Sequence, residues 1–429
     1  MKAQNDVLVI GAGLAGLVAA WHAAASPAHR VRLISKGWGA THWHSGCIDV
    51  LGYYPFSNDQ AVEVPLERLR LLFANEPHHP YTLVGIEAIG AALTAFQQLC
   101  QAADYPLHGS LEQNWLLPTA AGALRPTCLA PQTMIAGDAR DRSPLAIVGL
   151  AGLLDFYPEM IAANLTEQGI PAQALTLELP AMADRHFNNP ITLARQMEQA
   201  DFRAELVKRL QKALGSAEFA KVTRIGLPAV LGLGHAAAIH TELEKALDRK
   251  VFEIPGLPPS VAGIRLHTIL LNAIRQAGGE VYEGMKAIGA ECADGRIVKV
   301  MTEAAGRARP HRADQFILAT GGILGGGIVT DYAGRGREAV FDLPLTMPQD
   351  RRAWFKQDFM DADGHPIYRA GIHVNAEFQP VNGDNQPLHN NLYAIGTTLA
   401  HAEAIRERSF EGIALTTGYV VAKNVIRDA

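Results

Sequence analysis

Charge is sparse and cysteine is scarce in this chain of 429 residues. Charged side chains make up 19%, the net charge is −5, and no block of Lys or Arg stands out. The chain therefore lacks the basic footprint of a nucleic-acid binder. The four cysteines, Cys47, Cys100, Cys128 and Cys292, form no C-x-x-C pair. Local spacing thus excludes a four-thiolate iron–sulfur or zinc site, and no metal ligands are assigned. Internal repeats and low-complexity tracts are missing too. Long apolar runs are also few. The stretch 144–154 is broken by Asp155, and only the window from Val7 stays free of charge for about a membrane span. That window would suit a signal peptide or anchor, but Asp6 bounds it, His22 lies inside it, and no small-residue cleavage signature follows. Without an export signal the expected compartment is the cytoplasm, where thiols stay free.

What the chain does have is apolar bulk and glycine. Hydrophobic residues make up 48%, and there are 40 glycines. That length and composition predict a large core in two domains, or in one domain carrying an insertion. Residues 7–10 are apolar β-formers. They lead into Gly11, Gly13 and Gly16 at G-x-G-x-x-G spacing, with Leu14 and Ala15 between the glycines and an Ala-rich helix after them. A second strand at 31–34 completes a βαβ unit. Gly11 permits the tight turn, Gly13 lets backbone approach a pyrophosphate, and Gly16 lets helix and strand pack closely. The helix then aims unsatisfied N–H groups at the phosphates. This pattern predicts dinucleotide binding.

The expected fold is α/β, a discontinuous Rossmann-like nucleotide-binding fold with a smaller inserted α/β domain. Strands at 145–150, 173–179, 225–233 and 251–254 alternate with helices at 162–168, 203–214 and 240–247, which argues for a parallel sheet. The predicted boundaries are 1–142, 143–256 and 257–429, with hinges at 138–143 and 255–259. Gly149 and Gly152 lack the full dinucleotide spacing and are read as structural. The last part has a helix at 265–277, strands at 290–292, 298–302, 316–320, 371–374 and 391–395, and a helix from about Gly412 to Ile426.

Three stretches taken together resemble FAD-dependent oxidoreductases of the two-dinucleotide-binding type. They are Gly11-x-Gly13-x-x-Gly16, the strand and turn ending in Thr320-Gly321-Gly322, and Leu392-Tyr393-Ala394-Ile395-Gly396 with its closing helix. Ser35-Lys36-Gly37 and the segment through Thr41, His42, His44, Ser45 and Gly46 are similar to the flavin-cradling loop of fumarate reductase and succinate dehydrogenase flavoproteins. More narrowly, residues 44–51, 148–156, 257–266 and 391–396 resemble, in matching order, the B subunits of the anaerobic glycerol-3-phosphate dehydrogenases. This resemblance implies a flavoprotein of anaerobic respiration and glycerol metabolism. Its implied partners are a second flavin subunit and an iron–sulfur, membrane-anchoring subunit, so that it would sit peripherally at the inner membrane through a partner. The complex would oxidise sn-glycerol 3-phosphate to dihydroxyacetone phosphate and pass electrons towards quinone. The family is commonly assigned FMN, whereas the glycine turn suits the pyrophosphate of FAD.

The expected cofactor contacts are Gly11, Gly13, Leu14, Ala15, Gly16, Ser35, Lys36, Gly37, Thr41, His42, Ser45, Gly46, Thr320, Gly321, Gly322, Gly396, Thr397 and Gly412. Ser35 and Lys36 stand where a ribose-binding acid usually ends the second strand. Thr397 and Thr398 stand where an acidic residue usually follows the late glycine. The helix near Gly412 is expected to aim its positive end at the flavin pyrimidine edge. His78 and His79, between prolines, are read as a solvated loop. Oxidising a secondary alcohol needs a base for the hydroxyl proton, and a phosphate calls for Arg or Lys. His44, Arg265, Arg335 and Arg369 are the candidates. The competing readings are an electron-relay or assembly subunit of the same complex, a scaffold with a vestigial flavin site, and a fumarate-reductase-like enzyme acting on a dicarboxylate.

Overall fold

The computed structural model describes residues 5–55, 60–183 and 189–427. The chain divides into two compact units: residues 1–41, 49–96 and 267–429 in one, residues 42–48 and 97–266 in the other.

The first unit is built on a five-stranded parallel sheet. Its spatial order is Glu280–Tyr282, His29–Ile34, Asn5–Ile10, Gln315–Leu318 and Leu392–Ala394. Val7, Leu8, Val9, Phe316, Ile317 and Leu318 are completely buried, as expected of parallel strands covered on both faces. Registry matters most for function. Ile10 pairs with both Ile34 and Leu318, and Leu318 pairs with Ala394. The carboxyl ends of the central strands are therefore level, and the turns that leave them emerge together. Two helices, Leu14–Ala24 and Phe410–Arg427, pack through small residues. A Cβ on Gly418 would lie 2.6 Å from the Ala15 carbonyl oxygen. An antiparallel three-stranded sheet, Ala287–Ala293, Arg296–Thr302 and Arg309–Arg312, completes the unit. The strand expected at 371–374 is not one. Its backbone makes only single bridges, Thr346 to Gly371, Ile372 to Leu399 and Val374 to Pro380. Gly85, which has φ +80°, separates the helices Pro80–Val84 and Ile86–Ala102.

The second unit holds a four-stranded parallel sheet, ordered Lys250–Ile254, Arg224–Pro228, Leu145–Leu150 and Ala172–Leu177. Leu145–Leu150 is buried throughout, and its alternate residues serve two cores. Ala146, Val148 and Leu150 join one apolar cluster, Leu145 and Ile147 the other. The unit is larger than the expected 143–256 insertion. Leu116, Ala120 and Leu124 of the preceding hairpin region pack on the cluster that contains Leu145, Ile147 and Phe252. The expected hinge at 138–143 is pinned as well. The buried Arg224 guanidinium donates to the carbonyls of Ala136, Asp138, Asp141 and Ser143.

Candidate functional site

The level strand ends bring the three glycine turns into one place within the first unit. Gly11 has φ +118°, and a Cβ there would meet the Ala319 carbonyl oxygen at 2.2 Å. Only glycine combines that backbone with that approach. A Cβ on Gly16 would lie 2.0 Å from the Gly11 oxygen and 3.2 Å from the Ala319 Cβ, so Gly16 is what lets helix and strand meet. The late turn closes on the same helix: a Cβ on Gly396 would sit 2.8 Å from that of Ala15. The second and third turns also touch, since the Gly322 N–H donates to Thr397 Oγ1 at 3.4 Å and a Cβ on Gly322 would meet the Thr397 carbonyl oxygen at 2.4 Å. Gly321 has φ +77° beside them.

Several groups at this meeting point are positioned for a ligand. A Cβ on Gly13 would meet nothing within 4 Å, so this face of the turn is open. Gly13 caps the helix without a side-chain bond, and no acidic residue occupies the first turn. The first-turn amides of Leu14, Ala15 and Gly16 thus form an anion-accepting end. Ser35 is buried, and its Oγ has no partner among the described residues. Its own amide donates to Tyr282 and its carbonyl accepts from Met285, leaving the hydroxyl free for a ribose oxygen. Thr41 Oγ1 and Thr320 Oγ1 are likewise buried without partners among the described residues. Lys36 is exposed, and a Cβ on Gly37 would find open space. Gly39 went unnoticed in the sequence. Its φ is +67° and its Cβ position lies 2.5 Å from the Gly13 nitrogen, so the second-strand loop is seated against the glycine turn. An open glycine face, a free helix end and a buried hydroxyl at the second strand form a cradle for pyrophosphate and ribose, and they fit a dinucleotide flavin.

Gly412 is differently placed. Its N–H donates to the Asp49 carbonyl at 2.9 Å, and a Cβ there would strike the Tyr81 hydroxyl at 2.1 Å. It is a close-packing glycine. Its amide is spent within the protein, and Glu411 occupies the first turn of its helix. His42, His44, Ser45 and Gly46 belong to the second unit. There the His42 carbonyl accepts from the Ser260 N–H, Ser45 Oγ accepts from the Cys47 N–H, and Gly46 lies against Ala262. His44 is half-buried.

The basic candidates separate clearly. Arg265 is buried and bidentate to Glu253, at 2.6 and 2.9 Å, with its Nε donating to the Gly232 carbonyl. Burial opposes its charge, but Glu253 more than offsets that and raises its pKa. Glu253 also accepts from Thr133 Oγ1 and the Leu231 N–H. Arg265 is therefore engaged as a core ion pair of the second unit and is not presented to a ligand. Arg335 is exposed and paired with Asp331 on a hairpin. Arg369 is half-exposed and donates to Glu76 Oε1 at 2.9 Å. Close to it lies a group the sequence did not suggest. His373 and His401 are hydrogen-bonded through Nδ1 and Nε2 at 3.0 Å, and His78 stands 5.1 and 5.4 Å from their rings. Burial, then the neighbouring His373 and His78, push His401 down to about 4. His79, read as solvated, is in fact buried. It accepts from the Tyr81 N–H at the start of Pro80–Val84 and contacts Glu407 at 3.2 Å. An apolar recess in this unit is lined by residues that include Gly322, Gly396, Thr397, Tyr368 and Ile413.

A family model described as "FAD binding domain" matches residues 6–409. The chain belongs to this FAD-binding family. It also belongs with the proteins named as B subunits of anaerobic glycerol-3-phosphate dehydrogenase. The one from Pectobacterium atrosepticum is 33% identical over 435 residues, covering 99% of each chain. A "probable" one from Halobacterium salinarum is 32% identical over 431 residues, covering 98% of this chain and 97% of its own. Among solved structures, the open conformation of a flavocytochrome c3 fumarate reductase aligns over 99% of this chain and 78% of its own, at 9% identity and TM-score 0.46. The cofactor of the FAD-binding family is FAD, and the open face at Gly13 is compatible with a pyrophosphate. The expected α/β nucleotide-binding fold is the one observed. Among the described residues, no helix is long and apolar enough to cross a membrane.

Proposed function

We propose that this chain is the flavin subunit of an anaerobic, quinone-linked dehydrogenase that converts sn-glycerol 3-phosphate to dihydroxyacetone phosphate. The observation that carries the reading is the meeting of three glycine turns from distant parts of the sequence at one open cradle, in a chain that matches its B-subunit relatives from end to end. The assigned FAD contacts are Gly11, Gly13, Leu14, Ala15, Gly16, Ser35, Gly37, Thr41, Thr320, Gly321, Gly322, Gly396 and Thr397. When bound, FAD supplies a two-electron acceptor. The protein's share is to hold the pyrophosphate with backbone amides and the ribose with Ser35, and to exclude water with the apolar recess. The naming of its relatives as B subunits supports other subunits in the complex. The proposed ones are a second flavin subunit and an iron–sulfur subunit that tethers the assembly to the inner membrane. No cysteine pair of this chain suits a cluster, so electrons would leave to a partner's centre.

Adding glycerol 3-phosphate anaerobically to the purified, flavin-loaded chain tests this reading. Bleaching of the flavin absorbance is expected. A loaded sample that stays yellow would instead place substrate oxidation on a sister subunit and make this chain an electron relay.

A further inference from the structure

His78, His373, His401 and Arg369 come together from three separate parts of the first unit. The backbone fixes their proximity. Ile372 and Leu399 form a parallel bridge, with the Ile372 N–H donating to Thr398 and the Ala400 N–H to Ile372. Those two segments carry His373 and His401 side by side. The His401 N–H donates to the Arg369 carbonyl, and His401 is held at φ +75°, a conformation a non-glycine residue adopts only at a cost. The three rings lie 5.1 to 5.4 Å apart. His78 is exposed and opens the cluster to solvent, while His373 and His401 are half-buried. Arg369 has a buried Nε with no partner among the described residues. Tyr368 and Ala370, on either side of Arg369, and Ala402, next to His401, line the apolar recess. The polar cluster and the recess thus share the same two segments.

The chemistry selects the sign of the ligand. A cation would meet the Arg369 guanidinium, and among the described residues no group of His, Cys, Asp or Glu is arranged to hold a metal ion. An anion meets imidazole and guanidinium donors. Burial and mutual repulsion hold His373 and His401 low, so without a ligand they are neutral at pH 7. The titratable and charged groups facing His401 are His373, His78 and Arg369, with Glu76 as the acid opposing them. An incoming dianion would outweigh Glu76 and raise the imidazole pKa values.

We propose that His78, His373, His401 and Arg369 form a binding site for a phosphate-type oxyanion, and that its binding draws protons onto the imidazoles. The proposal deepens the function given above and rests on it for the natural ligand, the phosphomonoester end of glycerol 3-phosphate. Inorganic phosphate shares that chemistry.

The test is calorimetric titration of the FAD-loaded chain with glycerol 3-phosphate, inorganic phosphate and glycerol, at pH 7 in two buffers of different ionisation heat. A phosphomonoester has a second pKa of about 6, so binding its dianion can only release protons from the ligand. Net proton uptake therefore reports the imidazoles. Both anions are expected to bind, glycerol 3-phosphate with net proton uptake, and glycerol not to bind. Exposed His78→Gln and the His373→Gln variant are each expected to weaken anion binding about tenfold or more and to reduce the uptake, whereas Arg352→Ala, at an exposed arginine paired with Asp350, should leave both unchanged. Unaltered anion affinity in His78→Gln and His373→Gln, binding of glycerol 3-phosphate without proton uptake, or no anion binding at all would overturn the site. The outcomes separate the two claims. Flavin bleached by glycerol 3-phosphate with wild-type affinity in the His variants would sink the oxyanion site alone. Proton-coupled glycerol 3-phosphate binding without bleaching would sink the catalytic reading alone.

Discussion

Replacing Gly13 with Asp should stabilise the FAD-free chain while abolishing tight FAD binding. Gly13 is the N-cap of Leu14–Ala24, with φ −72° and no side-chain cap, a backbone that any residue can adopt. Its Cβ would meet nothing within 4 Å, so a side chain can leave the backbone there without a clash at its first atom. An Asp cap improves on Gly by a few tenths of a kcal/mol, and a negative charge at a helix start adds about 0.3–1 kcal/mol. The same charge faces the pyrophosphate. One pair of unit charges about 5 Å apart at an effective dielectric of about 20 repels by about 3 kcal/mol, or more than about a hundredfold in affinity. Gly16→Ala is the contrasting variant. Its Cβ would fall 2.0 Å from the Gly11 oxygen, an overpacking worth about 1–3 kcal/mol, against which the helix-propensity gain of about 1 kcal/mol is too small. Thermal melting of the FAD-free proteins and flavin titration of both variants would read these effects. Wild-type FAD affinity in Gly13→Asp would rule out a pyrophosphate at this turn.

Three further outcomes follow from the same geometry. Arg265→Ala leaves Glu253 buried and unpaired, and should cost about 3–5 kcal/mol in denaturant unfolding; a loss of phosphate affinity with stability intact would contradict the assignment of Arg265 to the core. Burial raises the Glu403 carboxyl to about 7 from an ordinary 4.5, so the folded state holds its proton longer than the unfolded one and stability falls between pH 4.5 and 7. At about 1.4 kcal/mol per pKa unit this costs about 3 kcal/mol above pH 7. Glu403→Gln should therefore raise Tm at pH 8 and not at pH 4, and equal effects at both would be the disproof. Arg335→Ala, on an exposed hairpin, should leave bleaching by glycerol 3-phosphate unchanged, and a marked loss would return Arg335 to the site.

The parts of the site that could be read from sequence are those encoded by local constraint. A strand running into Gly11, Gly13 and Gly16 leaves little freedom, and the strands at 315–318 and 392–394 announce themselves by apolar runs ending in glycine. What escaped is set by distance along the chain. Arg265 looks like a ligand-binding arginine because its partner Glu253 lies twelve residues earlier on a different element, which no periodicity reveals. His79 sits among loop-forming prolines, yet Glu407, 328 positions away, claims it. The His373–His401 pair depends on a single bridge between irregular segments, so neither helix nor strand patterning marks it. Gly412 stands at a helix start, where a cofactor contact is plausible by pattern. Only the position of Tyr81 against it shows a packing role.

The central claim is that the open turn at Gly13 clasps a pyrophosphate, a group that FAD has and FMN lacks. Releasing the cofactor from the purified chain by acid and weighing it by mass spectrometry tests this directly. FAD at one equivalent per chain is expected. FMN in its place, or a chain that takes up no flavin when FAD is supplied, would contradict it.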